Sequence, residues 1–381
     1  MTSAVPVGRP PAPRLDPVAL TPPVPWEFAS FLEDAEDAAS DGVQPVGRPG
    51  KVGVLDLSLG VDAASSVQKT GVTSRYVKAP MQFTRPLYID PADPGEAFVY
   101  VRSTGGGLAQ NDRIRQRVTL GDGARATVTT PAGTPVHRMN AGLATQWISL
   151  TVGEDAVCEY LPGQNTLFAG SRLLQVTDVD LADSATLLAA DVILTGRLAR
   201  GERDLFDALG QCWRVERGGR PLLSDMMCVV GAGQGRSEML LSRWPVWGTV
   251  LIVPPAGSSV KELLASVRDL LVERCAGVAA EDLTAAASTM VNDAGITVRV
   301  AGEDPVTVRA IVDAVHDHAR RALLGRPAVD LRRMGAAPGF GGCRHLGTAG
   351  WKTAAKPSCD PKMPTCPLPE KTSPSLFLAT M

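Results

Sequence analysis

Histidine is scarce in this sequence, and its scarcity narrows the chemistry that the protein can perform. Only four histidines occur in 381 residues, which argues against a histidine-rich metal centre or a histidine-based hydrolase site. The seven cysteines are odd in number and lack the spacing of a disulfide framework, so we expect a reducing compartment, the cytoplasm. No apolar run approaches the ~18 residues of a membrane span. The N-terminal residues show no secretory pattern, and we expect no such signal.

Charge and proline content set the broad class and the domain boundaries. A formal net charge of −2 argues against nucleic acid or an anionic membrane as the main partner. Residues 1–50 hold ten of the 30 prolines, and residues 335–381 hold seven more. Proline-rich segments with few aliphatic residues cannot bury enough surface to fold alone. We therefore predict one folded body over residues 51–334, between a disordered arm at 1–50 and a disordered tail at 335–381.

Alternating apolar and polar residues between Gly/Asp turns predict strands from residue 51 to about 245. Three stretches share one pattern, in which a short strand is followed by a turn of small and acidic residues and then by a strand that begins with alanine. These turns lie at residues 121–123, 153–155 and 182–184. The repetition predicts stacked, hairpin-like units in a solenoid-like body. An antiparallel meander would show similar turns, and this alternative stays open.

Residues 246–334 change character and predict two or three helices mixed with strands. Ser259-Val-Lys-Glu262 is a capping-box pattern, and apolar residues at helical spacing follow it. Asp304 and Gly325 delimit a further helix. Its apolar stripe is Val308, Ile311, Val312 and Val315. The fold class is therefore mainly β, of the α+β type, with stacked or antiparallel sheets and late helices.

The residues with chemical potential are carboxylates inside strand patterns. Asp112, Asp191 and Asp225 are flanked by apolar strand residues, where an unpaired buried carboxylate is costly. They form either ordinary Asp–Arg pairs or the lining of a wet interior, and composition alone does not decide between the two. The arginines available for such pairs are Arg113, Arg197 and Arg200.

The last predicted helix carries a second set of polar residues. His316 and His318 are two positions apart and point about 200° apart on a helix, so they cannot both bind one ion from that helix. Together with Arg320 and Arg321, they are predicted to face solvent or a partner protein.

Five motifs occur in an order and at a spacing that point to one family. They are Gly106-Gly107 with Asp112-Arg113, Gly121 to Thr129-Thr130, His137-Arg138, Glu159-Tyr160-Leu161-Pro162, and Gly196-Arg197 with Arg200-Gly201-Glu202. In this order they resemble the urease accessory protein D family, also called UreD or UreH. Asn111 stands where that family has glycine, which is compatible because asparagine also adopts positive φ. Pro135 stands where the family has lysine.

The resemblance implies a non-enzymatic role as a urease maturation factor. Proteins of this kind form a complex with an F-type accessory protein and a G-type GTPase, and this complex docks on apo-urease and supports nickel insertion. Nickel is then a transient cargo, and no organic cofactor is expected. By motif position, the residues on the nickel path are Asp112, Thr134, Asp191 and Asp225. Their oxygen ligands hold nickel less tightly than imidazole or thiolate, as a relay requires.

Two other functions compete with this interpretation. A metal-dependent hydrolase on a β scaffold needs three converging ligands and an open position, and the sequence offers no pair of histidines that converges. A β-rich binding module for carbohydrate is the other, and the aromatic content of 5% counts against it. The accessory role places the F-type partner on the helix surface with His316, His318, Arg320 and Arg321.

Overall fold

The structure is a computed structural model that describes residues 20–31, 50–231 and 244–331, all of them in one unit of the chain. In chain order, the strands are β1 (Val52–Val61), β2 (Thr70–Lys78), β3 (Met81–Phe83), β4 (Ala97–Ser103), β5 (Arg113–Leu120), β6 (Arg125–Thr129), β7 (Thr134–Val136), β8 (Ala144–Val152), β9 (Val157–Leu161), β10 (Asn165–Leu167), β11 (Arg172–Leu181), β12 (Thr186–Leu194), β13 (Ala208–Arg217), β14 (Arg220–Val230), β15 (Val246–Val253), β16 (Leu283–Thr289) and β17 (Ile296–Gly302). The long helices are α1 (Lys261–Cys275) and α2 (Pro305–Leu324).

The strands form two large sheets that pack against each other. Sheet 1 has the order β14-β13-β11-β8-β5-β1-β2, and sheet 2 has the order β16-β17-β15-β12-β9-β6-β4-β3, with β10 paired to β12 and β7. From β4 to β13 the chain passes repeatedly from one sheet to the other, and neighbours within each central run are parallel. Parallel neighbours arise when successive turns of a solenoid run in the same direction. The predicted solenoid-like body is therefore confirmed, and the central strands do not form an antiparallel meander.

The three repeated turns stack along one edge of the solenoid, which we call the turn edge. They connect β5 to β6, β8 to β9 and β11 to β12. The Glu154 amide donates to Asp122 Oδ1 at 3.0 Å, and the Ser184 amide donates to Glu154 Oε2 at 3.0 Å. The alanines that follow the turns, Ala124, Ala156 and Ala185, are fully buried. Acidic turn residues therefore join each layer to the next.

Helices α1 and α2 cover the outer face of sheet 2 and give the body a third layer. The predicted stripe of α2 is buried against sheet 2, and Asp304 caps this helix by accepting hydrogen bonds from the amides of Val306 and Thr307. Gly325 ends it with a φ of 70°. The capping box predicted for α1 does not form, because Val260 rather than Ser259 occupies the cap position. Neither helix combines the length and apolar character that a membrane crossing needs.

Residues 20–31 lie within the predicted arm, and here they pack on the outer face of sheet 1. Phe28 is fully buried against Leu174 and Ala208, and a Cβ placed on Gly210 would approach its ring to 3.0 Å. One large aromatic side chain thus anchors a segment whose average composition predicts disorder. The rest of the predicted arm up to residue 49, and the tail from 335 to 381, lie outside the described residues, so their disorder stays a prediction.

Candidate functional site: a polar chain between the sheets

A small cavity with a polar lining lies between the two sheets. Its volume is about 50 Å³. A water needs roughly 10–15 Å³ by the same measure, so the cavity holds a few waters. Its polar lining includes Gln116, Gln146, Gln175, Thr130, Thr134 and Asn165. The cavity therefore places polar side chains of both sheets beside a space large enough for water.

A chain of side-chain hydrogen bonds leads from this cavity into the interior. Asn165 Nδ2 donates to Gln175 Oε1 at 2.6 Å, and Gln175 Nε2 in turn donates to Asp191 Oδ2. Gln211 Nε2 donates to the same carboxylate oxygen at 2.7 Å. Thr134 is the register partner of Asn165 between β7 and β10, at the cavity end of the chain. We call Thr134, Asn165, Gln175, Asp191 and Gln211 the polar chain.

Strand alternation and register bring the glutamines of sheet 1 together. Gln146, Gln175 and Gln211 are successive register partners on β8, β11 and β13. Each occupies a position that faces sheet 2, because successive side chains of a strand point to opposite faces. The sequence analysis missed Gln175 and Gln211 as site residues. Their signal was a glutamine at the same inward position of successive repeats.

Asp191 is the most unusual member of the polar chain. Its side chain is only 2% exposed, and among the described residues nothing hydrogen-bonds to its Oδ1 atom. Burial raises the pKa of Asp191 to about 6, although the hydrogen bonds from Gln211 and Gln175 oppose this rise. The predicted alternative, an Asp–Arg pair, is wrong at this position because glutamine amides are its hydrogen-bond partners. The free oxygen leaves one acceptor available for a cation.

Asp225 forms an Asp–Arg pair, which was one of the two possibilities given for it from the sequence. It faces the interior from β14 and forms an ion pair with Arg299 of β17. Arg299 also donates to Thr249 Oγ1 at 2.9 Å, and Thr249 is the register partner of Asp191. Asp225 therefore lies beyond the polar chain, at its half-exposed end, and its partner is none of the three arginines named from the sequence.

Asp112 organises the glycine-rich bend before β5. It is fully buried and accepts hydrogen bonds at 2.8 Å from the amides of Lys51 and Ala109, while Lys51 Nζ lies 2.9 Å from Oδ2. Asn111 has a φ of 61°, which confirms its predicted use of positive φ. Of the four predicted path residues, Thr134 and Asp191 therefore belong to the polar chain and Asp225 lies at its end. Asp112 lies in the bend before β5 instead.

The predicted partner surface on α2 is wrong for two of its four residues. His316 and Arg320 are buried, because both reach Glu159 on the helix-facing side of β9. His318 is half-buried and bonds to Ser266 of α1, and only Arg321 is exposed. Polar residues of a helix are thus buried, and not exposed to a partner, when a strand distant in sequence supplies their hydrogen-bond partner.

Grouped metal ligands are absent from the part of the chain that the structure describes. Within residues 20–31, 50–231 and 244–331, no three or more His, Cys, Asp or Glu side chains are grouped closely enough to hold a metal ion. The tail residues with soft ligands, Cys343, His345, Cys359 and Cys366, lie outside the described residues. The chemistry of the site is therefore that of single, weakly binding oxygen atoms along a polar interior.

Fold and site together define a two-sheet β-solenoid with a polar, carboxylate-bearing interior, and comparison with known proteins identifies its family. The sequence model described as "UreD urease accessory protein" matches residues 53–335. The chain is 35% identical over 288 residues to the urease accessory protein UreD 2 of Streptomyces griseus, covering 75% of this chain and 95% of that protein. It is 34% identical over 289 residues to the urease accessory protein UreD of Haloarcula marismortui, covering 76% and 92%.

The chain belongs to the UreD urease accessory protein family. Membership assigns it a role in urease maturation and confirms the resemblance drawn from the five motifs. The names of the family and of these relatives describe accessory proteins rather than catalysts.

Proposed function

We propose that this protein is a nickel-insertion chaperone that conducts Ni²⁺ along the polar chain toward apo-urease. It does so in a complex with an F-type accessory protein and a G-type GTPase. The observation that carries the proposal is the free Oδ1 of Asp191, the buried partner of an Oδ2 that accepts from two amide donors. An unsatisfied buried acceptor is costly, and a passing cation satisfies it.

The ligand chemistry of the polar chain suits transit rather than storage. Amide, hydroxyl and carboxylate oxygens bind nickel more weakly than imidazole or thiolate, so an ion that enters can also leave. Because its pKa is about 6, Asp191 is ionised at neutral pH and attracts a cation. The described cysteines are free thiols, which supports a reducing compartment, the cytoplasm, as the location.

The predicted path residues take distinct roles in this proposal. Thr134 binds at the cavity end and orients the water shell of the ion, and Asp191 supplies the negative charge inside. Asp225 holds Arg299 at the far end of the polar chain, and Asp112 supports the bend beside the cavity.

Replacing Asp191 with asparagine tests the proposal. The Asp191→Asn variant is co-expressed with urease and the F-type and G-type proteins. It is expected to lower the nickel content of urease by about tenfold or more. The reason is that a lost contact of about 1.4 kcal/mol with the cation lowers its occupancy about tenfold. The four-protein complex should still assemble in a pull-down. The matched control is Asp180→Asn, which makes the same change at an exposed position. Nickel-filled urease from a fully assembled Asp191→Asn complex would contradict the proposal.

A further inference from the structure

The edge of the solenoid opposite the turn edge is formed by four stacked connections, and we call it the loop edge. The connections span residues 104–112, 130–143, 162–171 and 195–207, and we count Arg113, the first residue of β5, with the first of them. Backbone hydrogen bonds tie each connection to the next. The Leu108 amide donates to the Pro135 carbonyl at 2.9 Å, the Met139 amide to Gly170 at 2.9 Å, and the Gly170 amide to Leu205 at 2.8 Å. The loop edge is therefore a fixed surface.

A column of side chains crosses all four connections. His137 Nε2 lies 3.0 Å from the Gly106 carbonyl oxygen, and its ring packs edge-on against Phe168 with centroids 5.2 Å apart. The guanidinium carbon of Arg197 lies 4.4 Å from the centre of the Phe168 ring, and Arg197 also pairs with Glu202. The side chains of this column are half-buried. Preordered aromatic and arginine side chains are the residue types that dominate protein–protein binding energy.

The loop edge also carries positive charge that no carboxylate of the described residues neutralises. Arg113, Arg138 and Arg200 are exposed, and none has a carboxylate partner within the part of the chain that the structure describes. The carboxylates nearby are already paired, Asp112 with Lys51 and Glu202 with Arg197. On a chain whose formal net charge is −2, this excess is local.

The column adjoins the cavity of the polar chain. Gly107 lines the cavity, and a Cβ on it would lie 2.3 Å from the Pro135 oxygen and 3.0 Å from His137 Nε2, so only glycine fits between them. Exposed Arg102 also lines the cavity. Cations around this entrance repel a free divalent cation, because like charges at short range raise its free energy. A negatively charged partner surface over the cavity would remove this repulsion.

We propose that the loop edge is the docking surface for an acidic surface of a partner protein in urease maturation. Partner carboxylates neutralise Arg113, Arg138 and Arg200, and the Phe168 column supplies the apolar anchor. Complementary charge of this kind governs encounter rate and specificity. Placing this surface at the entrance of a nickel route depends on the proposed function, whereas the docking itself does not.

Binding measurements on the full chain test this surface. The probes are the purified cognate apo-urease, F-type protein and G-type protein, each titrated separately. The triple variant Arg113→Glu, Arg138→Glu, Arg200→Glu is expected to bind one of the three at least about tenfold more weakly, mostly through slower association, and high salt should weaken the wild type likewise. Phe168→Ala should weaken binding to the same protein through faster dissociation. Circular dichroism confirms that both variants are folded.

The control is Arg220→Glu, which makes the same substitution once, at an exposed residue at the far end of β13 and β14. It should leave affinity unchanged. Unchanged affinity of the folded triple variant for all three proteins would overturn the proposal, as would equal loss from Arg220→Glu or no binding by the wild type. Arginine-dependent binding to duplex DNA or phosphatidylglycerol vesicles with unaltered protein binding would overturn it too. Failure of the docking proposal can be distinguished from failure of the proposed nickel route. The Asp191→Asn variant tests the route alone, because it should bind the partner normally while transferring no nickel.

Discussion

Replacing Arg320 with alanine is expected to remove about 3–5 kcal/mol or more of the free energy of unfolding, the range for stranding a buried ionic partner. Arg320 is 1% exposed, and its guanidinium binds Glu159 of β9, Asp90 and Glu96. Alanine removes the guanidinium that joins these three buried carboxylates, and leaves Glu159 with His316 and the other two with Arg326. Because whole-protein stability is about 5–15 kcal/mol, the loss is a large share of it. Helix α2 should separate from sheet 2 when the ion pairs of Arg320 are lost.

The titration behaviour of this cluster supports the same expectation. Burial and the nearby charge of Glu159 raise the pKa of Glu96. Burial would also raise the pKa of Glu159, but hydrogen bonds and charges from His316 and Arg320 outweigh it and lower that pKa. Arg320 therefore keeps Glu159 ionised inside the protein.

Equilibrium denaturation monitored by tryptophan fluorescence measures the Arg320 effect. Arg321→Ala is the matched control, because Arg321 is the next residue, is exposed and pairs with Asp317 one helical turn away. Exposed pairs of this kind contribute about 0–1 kcal/mol. Equal, small losses for both variants would show that the Arg320 cluster does not hold α2.

Asparagine at position 191 is expected to stabilise the protein at neutral pH by up to ~3 kcal/mol, at about 1.4 kcal/mol for each unit by which the pKa is raised. The pKa of Asp191 rises from an ordinary 3.8 to about 6 on folding because the carboxyl is buried. A group with a raised pKa contributes stability below pH 3.8, and this contribution is lost as the pH rises through about 6. Asparagine avoids that loss, since it carries no charge to bury.

Denaturant titrations across this pH range separate function from structure at Asp191. The stability difference between Asp191→Asn and wild type should be largest at neutral pH and should shrink as the pH approaches 4, where both side chains are neutral. A functional residue retained at a cost in stability gives this pattern. A variant that is destabilised equally at every pH would instead mark Asp191 as a structural acceptor for Gln175 and Gln211.

Local signals in the sequence predicted much of the architecture, although they left an antiparallel meander as an alternative. The repeated turns reveal a solenoid because each repeat must place an acidic turn against the next, as Asp122, Glu154 and Ser184 do. The ends of α2 were predictable because Asp304 and Gly325 act on backbone groups of their own helix. Such effects depend on neighbours in the chain, which a single sequence displays directly.

The site was only partly predictable because its partners are distant in sequence. Nothing local at Arg320 indicates that Glu159 will meet it, and 161 positions separate the two. The cation of Asp112 is likewise Lys51, 61 positions earlier. Family motifs pointed to Asp191, but Gln175 and Gln211 became visible only when the register of sheet 1 aligned them.

Protected transfer of nickel tests the central claim, that the ion travels inside the protein along the polar chain. The accessory complex bound to apo-urease is charged with Ni²⁺ and transferred into excess EDTA, GTP is added, and the nickel bound to urease is measured. The account predicts that wild type and Thr177→Val, a buried change on the same strand, fill urease despite the chelator. Gln175→Leu, which breaks the chain between Asn165 and Asp191, should leave urease empty. Urease filled equally by Gln175→Leu, or filled by wild type only without EDTA, would contradict the account.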